Sequence, residues 1–240
     1  MKSVKSFLHS LVNRSISVGD KVIRPIRWGN LRRLEPVSRF FGFDRGIPID
    51  RYYIEDFLHK NKSDIFGCVL EIGDSEYTHK YGGERVQRSE VLHAVAGNPQ
   101  ATMVGDLSTG SGIPVDTFNC IILVQTLSFI FDFKSSIQNC YKALKSEGVL
   151  LATFPGISQI SRYDMDRWGD YFRFTDASAL RLFGDTFGLE HIKVDTFGNV
   201  LVACAFLHGL SCYELKKDEL NYRDPDYQVL ISVRAVKTKG

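Results

Sequence analysis

The stretch Val69-Leu70-Glu71-Ile72-Gly73-Asp74-Ser75-Glu76-Tyr77-Thr78 constrains this chain more than any other. Val69, Leu70 and Ile72 are apolar with only Glu71 between them, the composition of a short strand covered on both faces. Gly73 then lets the backbone turn and approach a ligand closely. Asp74 and Glu76 join Glu71, so three carboxylates surround one turn. That charge repels a pyrophosphate and favours a ligand carrying cationic groups. The second and third glycines of the G-x-G-x-x-G dinucleotide fingerprint are also absent, so nothing cradles phosphate in the usual way.

With 240 residues, 44% of them hydrophobic, the chain can fill the core of one large α/β domain and leaves little for a second. Residues 1–64 read as a basic, helical lead-in or cap and residues 65–240 as the domain proper. The net charge of +2 makes no global case for nucleic acid. The basic excess is local: Lys2, Lys5, Arg14, Lys21, Arg24, Arg27, Arg32 and Arg33 face only Asp20 and Glu35 within residues 1–36. Phe7, Leu8, Leu11 and Val12 fall on one face of a short amphipathic helix within residues 1–20. Such a helix suits weak docking to an anionic membrane surface or a partner; a loosely packed terminal helix fits the same pattern. Cys68, Cys120, Cys140, Cys204 and Cys212 show no C-x-x-C spacing and read as small core residues in a reducing compartment. No apolar run approaches the roughly 18 residues of a membrane span, and the run at 7–12 is too short for a signal peptide. A soluble cytoplasmic protein without a bound metal is expected.

Along the chain, Asp50 reads as the N-cap of a helix carrying Tyr53, Ile54, Phe57 and Leu58. Glu90–Val95 reads as a second strand and Thr102–Leu107 as a third, ending in Asp106-Leu107 and a Ser/Thr/Gly loop. Phe118–Val124, nearly all apolar, predicts a central strand ending at Gln125, where ligands of parallel sheets collect. A helix from Phe133 through Ile137, Tyr141 and Leu144 is expected to stop at Gly148, followed by a strand over Val149–Phe154. Thr175 can cap a helix carrying Leu180, Phe183 and Phe187 and ending at Gly188. Strands over Ile192–Thr196 and Val229–Val236 complete the pattern.

The E-x-G of residues 71–73, with Asp106-Leu107, Gln125-Thr126-Leu127, Leu144–Leu151 and Asp170-Tyr171-Phe172-Arg173-Phe174-Thr175, resembles the class I S-adenosylmethionine-dependent methyltransferases over roughly residues 65–235. The resemblance implies a doubly wound, seven-stranded, mostly parallel sheet with the last strand antiparallel, and S-adenosyl-L-methionine as cofactor. It implies cofactor contacts from Glu71, Gly73, Asp74, Asp106, Leu107 and Gln125. One element departs from the family: relatives place at the end of the second strand an acidic residue that accepts both ribose hydroxyls, and here stand Ala94-Val95-Ala96. Backbone and water, or His93, would have to serve instead, or the cofactor site is weakened. Residues 40–53 and 170–175 are similar to members associated with glycosyltransferases and surface polysaccharide assembly, which implies a small-molecule or glycan acceptor, a sugar hydroxyl above all. Asp170 and Arg173 are the expected catalytic residues on the acceptor side, an ion pair anchoring the next helix being the other reading. Arg45, Asp50, Arg51 and Tyr52 either face the pocket or hold the lead-in. Two rival functions are a catalytically lapsed member acting as a binding or scaffold module, and a nucleotide-sugar or NAD-linked enzyme, which the acidic turn disfavours.

Overall fold

The computed structural model describes residues 16–18, 21–23 and 29–238. The amphipathic face at 7–12 lies outside the described residues. Within residues 1–20 the described part, β1 (Ile16–Val18), is a strand that pairs antiparallel with β2 (Lys21–Ile23). Residues 1–36 and 37–240 form separate compact units. Residues 37–64, read from sequence as part of the lead-in, therefore belong to the larger unit.

The larger unit is built on seven strands: β3 (Gly67–Ile72), β4 (Val86–His93), β5 (Met103–Val104), β6 (Phe118–Val124), β7 (Leu144–Pro155), β8 (Ile192–Phe197) and β9 (Leu230–Val236). Their order across the sheet is β5-β4-β3-β6-β7-β9-β8. The first five are mutually parallel, and β9 lies antiparallel between β7 and β8. This is the doubly wound α/β architecture expected from the sequence, with its last strand antiparallel.

Both faces of the sheet are buried, and the two-residue period of a strand divides the apolar residues between them. Leu70, Ile121, Leu123, Leu150 and Ala152 pack with α2 (Phe133–Ala143) and α4 (Asp176–Phe187) on one side. Val69, Cys120, Ile122, Val149 and Leu151 pack on the other with α1 (Ile49–Lys60) and α5 (Val200–Leu207). A short α3 (Arg162–Met165) follows β7, and α6 (Lys217–Asn221) precedes β9. The helix at α4 begins and ends as the sequence predicts, with Thr175 and Ser178 in a reciprocal cap and Gly188 at φ 88°.

Three boundaries differ from expectation. The helix at α1 starts after Pro48, whose side chain makes no cap, so Asp50 lies inside the first turn. The helix at α2 is capped by Asp132 and ends at Ala143; Leu144 is extended, and Gly148 lies within β7 rather than stopping a helix. Glycine is needed there because a Cβ would stand 2.9 Å from the Phe118 carbonyl oxygen and 2.8 Å from that of Lys145. The strand at β4 runs from Val86 to His93, earlier than Glu90–Val95, and pairs with β3 from its first residue. Its polar Gln87, Arg88 and Ser89 are tolerated because its outer neighbour β5 pairs only through Leu92 and His93.

Candidate functional site

The carboxyl ends of β3, β6 and β7 open onto a cleft of about 310 Å³. The turn after β3 is held from below. Glu71 is buried, and its carboxylate accepts hydrogen bonds from the Tyr77 N–H (3.1 Å), the Thr78 N–H (2.7 Å) and the Thr78 hydroxyl (2.6 Å). Burial outweighs these donors and pushes the Glu71 carboxyl up to about 7. Gly73 sits at φ 87°, its N–H donating to the Leu92 carbonyl and its carbonyl accepting from the Asn98 side chain at 2.6 Å. A Cβ at Gly73 would meet nothing within 4 Å, so the space above it is open. Asp74 lines the cleft and ties itself to the Glu76 N–H at 2.9 Å.

From β6 the chain passes into Gln125 at φ 50°, a left-handed conformation few non-glycine residues adopt. Its N–H is bonded to the Thr153 carbonyl at 2.8 Å, and its side-chain amide reaches toward Asp50 Oδ2 at 3.4 Å. The first turn of α1 supplies Asp50 and Arg51. The Arg51 guanidinium lies over the Phe43 and Tyr77 rings, 5.5 and 5.7 Å from their centroids, and 3.6 Å from Glu76. The Asp50 carboxyl is desolvated in the cleft and pushed up to about 6, although the residue as a whole keeps partial exposure. The far wall comes from the segment after β7. There Arg173 grips Asp170 with two bonds, Nη1 to Oδ1 at 2.5 Å and Nη2 to Oδ2 at 2.9 Å. The Ser161 N–H adds a third bond to Asp170 Oδ2 at 3.0 Å, and Arg173 also donates to the Gln159 and Phe172 carbonyls.

The structure thus gathers Glu71, Asp74, Gln125, Asp170 and Arg173 around one cleft. Asp106 and Leu107 do not line it. Leu107 is a core residue, and Asp106 closes its own turn by accepting from the Ser108 N–H and hydroxyl, which draw its carboxyl below the usual range. Of the four residues that either face the pocket or hold the lead-in, Asp50 and Arg51 face it. Arg45 pairs with Glu214 and Tyr52 bonds Asn221. Asp50, read from sequence as the helix cap, is freed for the cleft because Pro48 holds the cap position instead. Ser128, also on the wall, carried no sequence signal. At the end of β4, His93 packs edge-on against Trp168 at 5.7 Å, while Val95 lies two residues beyond the strand and is half exposed. The strand therefore ends at His93, and Val95 lies outside it.

Among the described residues no group of three or more His, Cys, Asp or Glu could hold a metal ion, and no helix is long and apolar enough to cross a membrane. No family model and no curated protein sequence matches the chain. Solved structures do. An S-adenosylmethionine-dependent methyltransferase from Archaeoglobus fulgidus superposes with a TM-score of 0.52 at 12% identity, covering 83% of this chain and all of the other. The N-methyltransferase NodS from Bradyrhizobium japonicum, in complex with S-adenosyl-L-homocysteine, gives 0.50 at 13% identity over 85% of this chain and 95% of its own. The fold is the methyltransferase fold. In the methyltransferase fold seen here the cleft stands where a doubly wound sheet binds its ligands, outside the carboxyl ends of the strands. At these identities the likeness carries the architecture, and the chemistry has to come from the cleft.

Proposed function

We propose that this chain transfers a methyl group from S-adenosyl-L-methionine to a hydroxyl of a small-molecule or glycan acceptor, a sugar in the first instance. The observation that carries this is an acidic cleft at the ligand-binding end of a methyltransferase fold. S-adenosylmethionine brings a sulfonium and an ammonium against one carboxylate, and the cleft meets it with Glu71 and Asp74, while its two lining cations, Arg51 and Arg173, are held beside Glu76 and Asp170. In this proposal Gly73 and Asp74 receive the amino-acid portion, and Glu71 shapes the turn that holds it. Gln125 stands beside the sulfonium, and Asp106 and Leu107 mark the adenine end. The acceptor oxygen attacks the methyl carbon as the carbon–sulfur bond breaks, a displacement that needs alignment and exclusion of water above all. The Asp170–Arg173 pair forms the acceptor wall. The proposal extends, on the resemblance of residues 40–53 and 170–175, to association with glycosyltransferases in the cytoplasm, and to weak contact of residues 1–20 with an anionic membrane surface.

Calorimetric titration with S-adenosylhomocysteine tests the cofactor. Saturable binding is expected, and Gly73→Ala should weaken it at least about tenfold, because its methyl enters the open space; the positive φ adds about 1–2 kcal/mol of backbone strain. Absence of heat at millimolar ligand would refute the proposal in favour of a binding or scaffold module that has lost the activity.

That second reading has an observation of its own, since a histidine stands where a ribose carboxylate is sought. His93→Asp is expected to tighten S-adenosylhomocysteine by about 1–3 kcal/mol through charge-assisted hydrogen bonds to the ribose. Unchanged affinity in a folded His93→Asp protein would place the ribose elsewhere.

A further inference from the structure

Asp50 and Asp170 both line the cleft, and they are held in opposite ways. Asp170 is gripped by both guanidinium nitrogens of Arg173 and by the Ser161 N–H, so each of its oxygens already accepts a strong donor. Both oxygens of Asp170 are thus committed to the protein's own donors. Asp50 has one oxygen committed, Oδ1 accepting the Arg51 N–H at 2.8 Å. The nearest donor to Oδ2 is the Gln125 amide at 3.4 Å, long for an N–H···O bond. Pro48 causes this difference, because by starting the helix it removes Asp50 from the cap position where its side chain would have been consumed.

The surroundings of Asp50 are unfinished in the same place. Ser128 is 1% exposed, lines the cleft, and its hydroxyl has no hydrogen-bond partner. The Gln125 Oε1 is also buried without one. Buried polar atoms are rarely left so, and two on residues lining the same cleft as one open carboxylate oxygen point to a group that arrives with the ligand. Ser128 can donate to an arriving oxygen, and Gln125 Oε1 needs a donor. Two adjacent hydroxyls of one ligand supply both: one accepts from Ser128 and keeps its single hydrogen for Asp50, and its neighbour donates to Gln125.

Resting on the methyl-transfer proposal, we infer that Asp50 is the catalytic base, taking the acceptor hydroxyl's proton on Oδ2 while Ser128 donates to that hydroxyl's oxygen and Gln125 Oε1 accepts from the neighbouring hydroxyl, holding the acceptor in line with the methyl group. The oxygen–hydrogen bond breaks toward Asp50 as the oxygen bonds to the methyl carbon, and the electron pair of the broken carbon–sulfur bond stays on sulfur. A neutral alcohol, a sulfonium and a carboxylate become an ether, a thioether and a carboxylic acid, so charge balances. Sharing the cleft with Asp50 are Arg51 on its own helix, Glu71, Asp74 and Tyr77 from the β3 end, and Asp164, Asp170 and Arg173 from the segment after β7. Arg173 is already spent on Asp170. Desolvation is left to dominate and places Asp50 at about 6, where a base is ionised at neutral pH yet still draws a proton.

The test uses the full chain with methyl-tritiated S-adenosylmethionine and a panel of methyl glycosides, alongside a panel of primary amines. Labelling of at least one glycoside is expected, rising with pH along a limb near 6. Asp50→Asn should lower it about a hundredfold, abolish the limb and keep S-adenosylhomocysteine affinity within about threefold, with Asp50→Glu restoring part of the rate. Ser128→Ala, which keeps the base, should raise KM more than it lowers kcat. Normal turnover in Asp50→Asn overturns the inference, as does labelling of amines alone, or cofactor binding with no glycoside labelled. Failure of the parent protein to bind S-adenosylhomocysteine instead overturns the methyl-transfer proposal beneath it.

Discussion

Asp170→Asn is expected to melt roughly 6–12 °C below the parent protein, taking about 3 kcal/mol for half-breaking a buried ion pair and 2–4 °C per kcal/mol for a domain of this size. The Asp170 side chain is 1% exposed, against 27% for Arg173. Asparagine keeps one acceptor for Arg173 and Ser161 but turns an amide NH₂ toward a guanidinium, so the loss is larger than that of a surface pair. Arg173 is still held by the Gln159 and Phe172 carbonyls, which confines the damage to the wall of the cleft. At a temperature below both transitions, turnover per folded molecule should stay within about threefold of the parent, because proton transfer falls to Asp50. Melting curves beside turnover in this one variant decide the matter: an unchanged melting temperature with turnover reduced about a hundredfold would make Asp170 the base.

The second large effect is on pH. Glu71 has an ordinary value of 4.5 and is raised to about 7 by burial, so the folded state favours its protonated form. A raised carboxyl contributes stability that is complete below the unfolded value and is lost as pH rises through the folded one. The window is therefore about pH 4.5–7, and the loss across it is about 3 kcal/mol. Asp50 adds the same sign over a lower window, from 3.8 to about 6. The melting temperature of the ligand-free protein should fall between pH 5 and pH 8. Glu71→Gln should flatten the upper part of that fall at the cost of lower stability in acid, since its NH₂ must face the Tyr77 or Thr78 donors. A cation entering the cleft favours ionised Glu71, so cofactor binding near pH 6.5 should release protons, read as a dependence of calorimetric heat on the buffer's ionisation enthalpy. A flat melting profile in the parent would refute the placement of Glu71.

The fold was legible where one physical signal dominated. Phe118–Val124 is apolar at nearly every position and is the strand the sequence predicts, end to end. Thr175 and Gly188 bound a helix because a hydroxyl cap and a left-handed terminus each have few competitors. Boundaries failed where two signals competed. Gly148 looked like a helix stop, but the chain needed glycine for the close approach of the Phe118 carbonyl inside β7. Val86–Ser89 fell outside the strand read over Glu90–Val95, yet with so short an outer neighbour their polar side chains stay at a sheet margin.

The candidate site was half legible for a related reason. Residue type and order single out Glu71, Asp74, Gln125, Asp170 and Arg173, and the cleft brings them together. Sequence cannot reveal how many hydrogen bonds each carboxylate already accepts. Glu71 and Asp170 are bound on both oxygens by groups that fold back on them, and Asp50 is not. The left-handed Gln125 is likewise invisible, because nothing in its neighbours marks the conformation.

The position of β9 has a consequence for the order in which this sheet can be made. Its neighbours are β7 and β8, and β8 pairs with no other strand. A nascent chain that has emerged as far as Phe197 can already zip together five parallel strands, with the turn after β3 and Gln125 in place. It still has β8 dangling and the β7 edge bare until residues 230–236 follow and slot into the gap. Synthesis thus leaves the cleft-bearing half waiting, with an open seam, for a keystone made more than thirty residues later than the strand it locks in.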